Sequence, residues 1–190
     1  MSASEFMAQL EQDQGYQLRK ETFDSQLQER ADELRSAEVP IVADLREAGL
    51  DVASVWDLVN TSEPYPAALP VLLAHLERGG YPDRVMESLG RAIAVAPAEF
   101  AWHKLRGLYL RSSGRGEEEG LAVALAAAAT PEHLEELIAL TGEASRGDSR
   151  IHLLRAIKRV GGQPGIDFLL ELTDDQLFGK EAAALLGNRS

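Results

Sequence analysis

Residues 66–85 read PAALPVLLAHLERGGYPDRV, and their prolines and glycines predict the architecture of this 190-residue chain. An apolar segment begins at Pro66 and ends at Gly79-Gly80, and a second segment follows directly after Pro82. Proline is tolerated in the first turn of a helix, whereas glycine readily takes the left-handed conformation just after a helix. The stretch therefore predicts two helices joined by a short turn.

The same pattern recurs along the chain at a nearly constant interval. The prolines that begin successive units stand 31, 34 and 33 residues apart, at Pro66, Pro97, Pro131 and Pro164. Between them lie pairs of apolar segments separated by glycine-containing turns at 79–81, 114–116 and 147–148. A two-helix unit of this length cannot bury both of its apolar faces alone, but stacked units can. The repeat predicts a short, right-handed α-solenoid of stacked helical hairpins.

The periodicity of apolar residues predicts an all-α fold, because no segment shows the strict alternation of a half-buried strand. We expect a body of about five helical hairpins over residues 38–190. The predicted helices lie at 38–49, 52–61, 66–79, 82–95, 98–113, 117–129, 131–144, 148–161, 165–174 and 177–187.

Residues 1–37 differ from the body, because they are polar and rich in Gln and Glu. Their apolar residues recur mainly at steps of four and seven, at Phe6, Leu10, Tyr16, Phe23, Leu27 and Leu34. This spacing predicts a long helix with a thin apolar stripe, and Gly15 is a candidate kink. Such a stripe needs a partner surface, either the body of the chain, which we favour, or a second copy in a homo-oligomeric coiled coil.

The second helix of each pair carries a family resemblance. Residues 83–85 (DRV), 148–151 (DSRI) and 180–187 (KEAAALLG) resemble the second helix of HEAT repeats, in which Asp and Arg precede an Ala/Leu-rich stripe. Residues 66–73 (PAALPVLL) are similar to the HEAT first helix with its internal proline. The resemblance implies an armadillo/HEAT-type solenoid.

The resemblance covers about residues 64–187 and has one departure, since the unit containing 120–129 lacks the Asp–Arg pair. A tetratricopeptide array has a similar period, but its aromatic signature is absent. Residues 55–60 (VWDLVN) and the repeats after them also resemble short bacterial HEAT-like proteins, which brings no known activity with it.

Composition excludes several kinds of chemistry. The chain has no cysteine, so disulfides, thiolate metal sites and cysteine nucleophiles are ruled out. No phosphate-binding glycine loop is present. The histidines have no metal-site spacing, and we interpret them as partly exposed helix residues: His75, His103, His133 and His152. We therefore expect no enzyme activity, no metal and no cofactor.

Net charge and hydropathy indicate the class of partner and the cellular location of the protein. It carries 19 Lys and Arg against 31 Asp and Glu, a net charge of −12. This balance disfavours nucleic acid as a partner. Residues 1–5 lack the basic start of a signal peptide, and the longest apolar stretch, 120–129, is too short to cross a membrane. We expect a cytoplasmic protein without membrane contact.

Two groups of residues are candidates for partner binding. Tyr65 and Tyr81 lie in breaks between helices, where aromatic side chains are well placed for contacts. The second group is a basic cluster in the otherwise neutral C-terminal part, comprising Arg146, Arg150, Arg155, Lys158 and Arg159. If these cations face a concave surface, they would hold an acidic peptide or a phosphate. The competing interpretation is a solvated helix face with Asp–Arg pairs between repeats.

Three functional hypotheses follow from this sequence. The leading one is a non-enzymatic protein–protein interaction module, an adaptor or regulator, because solenoids offer extended binding faces. The second is a small acidic inhibitor, such as an immunity protein that neutralises a basic toxin or nuclease, since net charge of −12 would steer a basic partner. The third is a DNA-binding or DNA-repair protein resembling the alkylpurine glycosylases, which are HEAT-like and bind DNA in a basic groove.

Overall fold

The computed structural model describes residues 14–187. Over that range all regular secondary structure is helical, so the predicted all-α fold is confirmed. The described residues divide into two compact units between Ala37 and Glu38. Among these helices, none has the combination of length and apolar character needed to traverse a bilayer.

Ten α-helices and three 3-10 helices make up the described part of the chain. The α-helices are α1 Gln14–Glu47, α2 Val55–Val59, α3 Ala68–Arg78, α4 Asp83–Ala92, α5 Trp102–Arg111, α6 Arg115–Ala128, α7 Leu134–Thr141, α8 Ile151–Val160, α9 Gly162–Glu171 and α10 Gly179–Gly187. The 3-10 helices are Ala96–Ala101, Pro131–His133 and Ala144–Arg150.

The helix α1 extends across the predicted boundary at residue 38. The separate helix predicted at 38–49 is the C-terminal part of α1, which continues through Pro40. Proline removes its own N–H from the helix ladder and its ring crowds the carbonyl group four residues earlier, but the buried side chains of Ile41 and Leu45 hold the following turns in the core. Gly15 is the second described residue of α1, and the stripe positions Phe6 and Leu10 lie outside the described residues.

Short 3-10 segments precede three helices that were predicted to begin in the α conformation. Proline stands in the first turn of the segments Ala96–Ala101 and Pro131–His133. In the third segment, Gly147 has a φ of 52°, which an α-helix does not tolerate. The chain therefore tightens or turns locally before α5, α7 and α8.

The body from Glu38 onwards is arranged around four helices packed in sequence. Helix α4 packs on α6, α6 on α8, and α8 on α10, while α5, α7 and α9 pack beside them. Leu121 and Leu125 of α6 and Leu153 and Leu154 of α8 are fully buried. Burial of such side chains is worth about 1.5–3 kcal/mol each, so this row of helices forms the centre of the core.

Side chains of one helix also cap the start of another. The carboxylate of Asp83, at the start of α4, accepts hydrogen bonds from the backbone amides of Gly116 (2.8 Å) and Glu117 (2.9 Å) in the first turn of α6. Glu38 accepts a bond from the amide of Val55 (3.2 Å) at the start of α2. Such acceptors satisfy N–H groups that have no partner within their own helix.

Candidate functional site

A groove of about 600 Å³ runs along α6 and α8, and we call it the α6–α8 groove. Its floor consists of small and apolar side chains from the two helices: Val123, Ala126, Ala127, Ile151 and Ala156. The alanine-rich sequence of α6 explains the space, because a methyl side chain fills little of the gap between neighbouring helix backbones. The floor therefore offers apolar surface to which another molecule has access.

The rim of the α6–α8 groove is charged and is drawn from three helices. Arg91 comes from α4, while His152, Arg155 and Arg159 come from α8, and Glu181 comes from α10. Three guanidinium groups thus line the groove, compared with one carboxylate. A site with an apolar floor and a few polar groups at its edge is typical of binding sites in proteins.

The arginines of the rim differ in how much of their hydrogen-bonding capacity is used within the protein. Arg91 pairs closely with Glu87 (2.7 Å) and more distantly with Glu119 (3.7 Å). Arg155 is 80% exposed and only approaches Glu181 (3.6 Å). A long, exposed ion pair of this kind contributes only about 0–1 kcal/mol to stability. The guanidinium of Arg155 therefore remains available to a ligand.

Arg159 has a structural contact as well as a place in the rim. One of its terminal nitrogens donates to the carbonyl oxygens of Ala126 (2.7 Å) and Ala129 (3.1 Å), at the C-terminal end of α6. Cations are favoured at this end of a helix because its carbonyl groups are unpaired. Across residues 14–187, Arg159 has no carboxylate partner, and the residue is exposed.

The imidazole of His152 stands among these charges and is half-buried. Within residues 14–187 no group is hydrogen-bonded to its ring nitrogens. Burial lowers the pKa of His152, and the nearby Arg91 and Arg155 lower it further, whereas Glu119 and Glu181 oppose them. Burial and the two arginines therefore favour the neutral form of the His152 imidazole, and an anion close to the ring would raise its pKa.

Only part of the predicted basic cluster lies at the groove. Arg146 donates to the carbonyl oxygens of Tyr109 (3.0 Å) and Ser112 (2.7 Å) at the end of α5 and pairs with Glu118 (3.2 Å). Its side chain is 14% exposed. Arg146 thus connects its own segment to α5 and α6, and little of its side chain is accessible to a partner.

Arg150 and Lys158 are used in a similar way. Arg150 donates to the carbonyl oxygen of Thr141 (2.7 Å) at the end of α7, and its guanidinium lies over the ring of Phe178 at 5.1 Å. The ammonium of Lys158 donates to the carbonyl oxygen of Leu185 in α10. Of the predicted cluster, only Arg155 and Arg159 thus line the groove, and Arg159 contacts a helix end as well.

The predicted contact tyrosines are both half-buried, with their hydroxyl groups engaged. The hydroxyl of Tyr65 donates to the carbonyl oxygen of Ala92 (2.9 Å), and burial raises the pKa of Tyr65. The hydroxyl of Tyr81 lies 2.6 Å from Nδ1 of His75, whose Nε2 lies 2.9 Å from a carboxylate oxygen of Asp44. This Asp44–His75–Tyr81 chain connects α1, α3 and the turn after α3.

Sequence reasoning missed Arg91, His152 and the alanine floor as site residues. A signal for His152 was present, because residues 152, 155 and 159 are spaced to lie on one helix face. Arg91 is distant in sequence, and it reaches the site only because α4 packs against α6. The spacing of residues within one helix cannot reveal which residues of another helix lie beside it.

Within residues 14–187, no three His, Asp or Glu side chains are grouped as a metal site requires. Comparison of the chain with protein-family models, curated proteins and solved structures finds no match. The class that fold and site define is an all-helical protein with a charged-rimmed apolar groove. Its function is therefore inferred from that groove.

Proposed function

We propose that the protein is a non-enzymatic protein-binding module, an adaptor or regulator, whose partner binds in the α6–α8 groove. The observation that carries this proposal is that accessible alanines line the same groove as Arg155 and Arg159, two cations whose N–H groups are not all used within the protein. Apolar surface at the centre with charge at the edge is the usual composition of a protein interface.

The proposal includes a HEAT-like, right-handed α-solenoid for the body of the chain. Support comes from contacts that recur at the repeat interval. Asp83 caps Gly116, 33 residues later, Arg146 contacts Ser112, 34 residues earlier, and Arg159 contacts Ala126, 33 residues earlier. The three contacts differ in kind, but each connects one unit to its neighbour, as a stack of similar hairpins requires.

Binding is favoured over catalysis by the chemistry of the groove. A nucleophile or general base is activated by a partner within hydrogen-bond reach, which in turn orients it. The imidazole of His152 has no such partner among the described residues, and no serine or threonine lines the groove with it. Its arginines suit recognition of an anionic group by charge and geometry.

The experiment compares two substitutions of the same kind. Ala127→Trp fills the floor of the groove, and Ala139→Trp places the same ring on an exposed position of α7. Tagged wild-type protein and both variants are crosslinked in native cells, and thermal unfolding verifies that each variant is folded. We expect a stoichiometric protein partner with wild type and Ala139→Trp that is lost with Ala127→Trp. A partner retained equally by all three, or none at all, would contradict the proposal.

A second candidate is an acidic inhibitor, such as an immunity protein, that neutralises a basic protein. The net charge of −12 favours it, as do exposed carboxylates such as Glu132, which precedes α7, and Glu135, which lies in α7. Its partner would associate faster at low salt, because the attraction is screened as ionic strength rises. Association rates that do not change with ionic strength would contradict this candidate.

A further inference from the structure

We infer that the α6–α8 groove recognises one carboxylate on an apolar segment of its partner, held by Arg155 and Arg159 beside His152. This inference rests on the proposed function, because it specifies the ligand of the same groove. The partner segment would place its apolar side chains on the alanine floor, and its carboxylate would face the cations of α8.

Arg155 and Arg159 are cations that remain available to a carboxylate. Arg155 is 80% exposed and has only a distant carboxylate, at 3.6 Å. Arg159 has no carboxylate partner in the described part of the chain, although it already touches the end of α6. A planar guanidinium binds a carboxylate through two parallel hydrogen bonds, so these side chains are suited to that group.

The floor carries the second step. Val123, Ala126 and Ala127 are half-buried and present apolar surface that water covers when no ligand is bound. Apolar side chains of a ligand would remove this surface from water, whereas a fully polar ligand would leave the floor without matching contacts. The groove therefore favours a segment in which apolar residues flank the carboxylate.

The charge of the whole protein limits the number of anionic groups in the ligand. A net charge of −12 repels a polyacidic chain or a nucleic acid at long range. Around the groove itself, Glu181, Glu119 and Glu87 stand close to Arg91 and Arg155. The local excess of positive charge is therefore small, and it matches a single carboxylate better than a row of them.

His152 should couple this binding to pH. The charged groups around its ring are Arg91 from α4, Glu119 from α6, Arg155 from its own helix and Glu181 from α10. A bound carboxylate adds negative charge to this set and stabilises the imidazolium. By linkage, a ligand that raises the proton affinity of His152 must bind more tightly as pH falls.

The test uses a displayed library of random 12-residue peptides as its probe. Peptides are selected on the wild-type protein and counter-selected on Ala127→Trp, so that only groove binders remain. We expect enrichment of Asp or Glu next to Leu, Ile, Val or Phe. Enrichment of basic peptides, of uncharged peptides or of polyacidic runs would overturn the inference, and so would tight, Arg155-dependent binding of duplex DNA at moderate salt.

Matched variants then measure the role of the cation. Arg155→Gln should weaken binding of a selected peptide about tenfold, the loss typical of a hydrogen-bonded charge pair at an accessible site. Lys104→Gln also removes one exposed cation with a carboxylate partner, Glu77, but it lies on α5 and should change nothing. Arg155→Gln is preferred to a change at Arg159, which also contacts the end of α6. Equal affinities of the two variants would overturn the inference.

The pH dependence provides an independent readout. Between pH 7.5 and 5.5, peptide affinity should rise about threefold or more in wild type, and His152→Gln should abolish this rise. An affinity that is flat or falls with acidification would overturn the inference. If the native partner requires the groove but is insensitive to Arg155→Gln, only this inference fails. If the partner does not require the groove, the proposed function fails.

Discussion

Gly90 of α4 lies so close to Gly120 of α6 that a Cβ atom on Gly90 would stand 2.4 Å from the carbonyl carbon of Gly120. In the other direction, a Cβ on Gly120 would stand 2.6 Å from the carbonyl oxygen of Glu87. The two helix backbones are therefore in direct contact. Each glycine destabilises its own helix by about 1 kcal/mol relative to alanine. In return, the absence of a side chain allows α4 and α6 to pack closely.

Replacing either glycine by alanine should destabilise the protein. Because the added methyl group meets backbone atoms that cannot rotate away, Gly90→Ala and Gly120→Ala should each lower the free energy of unfolding by about 1–3 kcal/mol. Urea unfolding followed by circular dichroism measures this. The control is Gly107→Ala in α5, whose Cβ would approach only the flexible end of Arg111 and should be neutral or stabilising. Equal stabilities of the Gly90 and Gly107 variants would show that the helices do not touch there.

The carboxylate of Asp83, which lies in α4, should stabilise the first turn of α6. Asp83→Ala removes the acceptor of the Gly116 and Glu117 amides, and we expect a loss of about 1–2 kcal/mol in the free energy of unfolding. Asp83→Asn keeps one acceptor oxygen and should lose less. Asp167→Ala serves as the control, because Asp167 is exposed on α9 and bonds only Gln163 within its own helix. A smaller loss for Asp83→Ala than for Asp167→Ala would refute the cap.

Arg146 and Arg155 should respond differently to the same substitution. Arg146→Met leaves the carbonyl oxygens of Tyr109 and Ser112 and the carboxylate of Glu118 without their donor, so we expect a loss of about 2–3 kcal/mol. Arg155→Met removes an 80%-exposed side chain and should cost below about 0.5 kcal/mol. Thermal or chemical unfolding of both variants tests this order. Comparable losses would show that Arg146 has no special structural role.

The stability of the protein should decrease as pH falls below the ordinary pKa of histidine. Burial lowers the pKa of His75 below its ordinary value of 6.5, while the bond and charge of Asp44 oppose the shift. The unfolded chain therefore binds a proton at a pH where folded His75 does not, and stability rises with pH across that window. His75→Gln should flatten this dependence.

Titration of the imidazole signals by NMR checks the same point directly. The resonance of His75 should shift with a midpoint below 6.5 in the folded protein. Because Nδ1 of a neutral His75 accepts from the Tyr81 hydroxyl, Tyr81→Phe should also disturb this resonance. A midpoint above 6.5 would mean that the pairing with Asp44 outweighs burial.

The helical nature of the chain could be predicted because it is a local property. Apolar residues at helical spacing, with proline and glycine at the breaks, produce the same elements in most tertiary surroundings. The predictions of helix ends were weaker, because a new helix was expected to begin at residue 38, where α1 continues without a break. The apolar pattern changes there because Ile41 and Leu45 are buried, and a change of pattern does not require the helix to end.

The candidate site could be predicted only in part, since Arg155 and Arg159 were named in a cluster with Arg146, Arg150 and Lys158. All five are similar in chemistry and close in sequence. Their roles depend on which helix ends lie within reach of each side chain. Arg146 meets the end of α5, whereas Arg155 meets solvent and a distant carboxylate.

Residue order alone was enough to establish that this chain folds into helices and carries excess negative charge, because both properties are sums over local features. The folded arrangement was needed to bring Arg91 beside residues of α8 and to leave Ala126 and Ala127 of α6 accessible while the other alanines of that helix are buried. The physical reason is that spacing within a helix defines the direction of a side chain, but the packing of separate helices defines what that side chain meets.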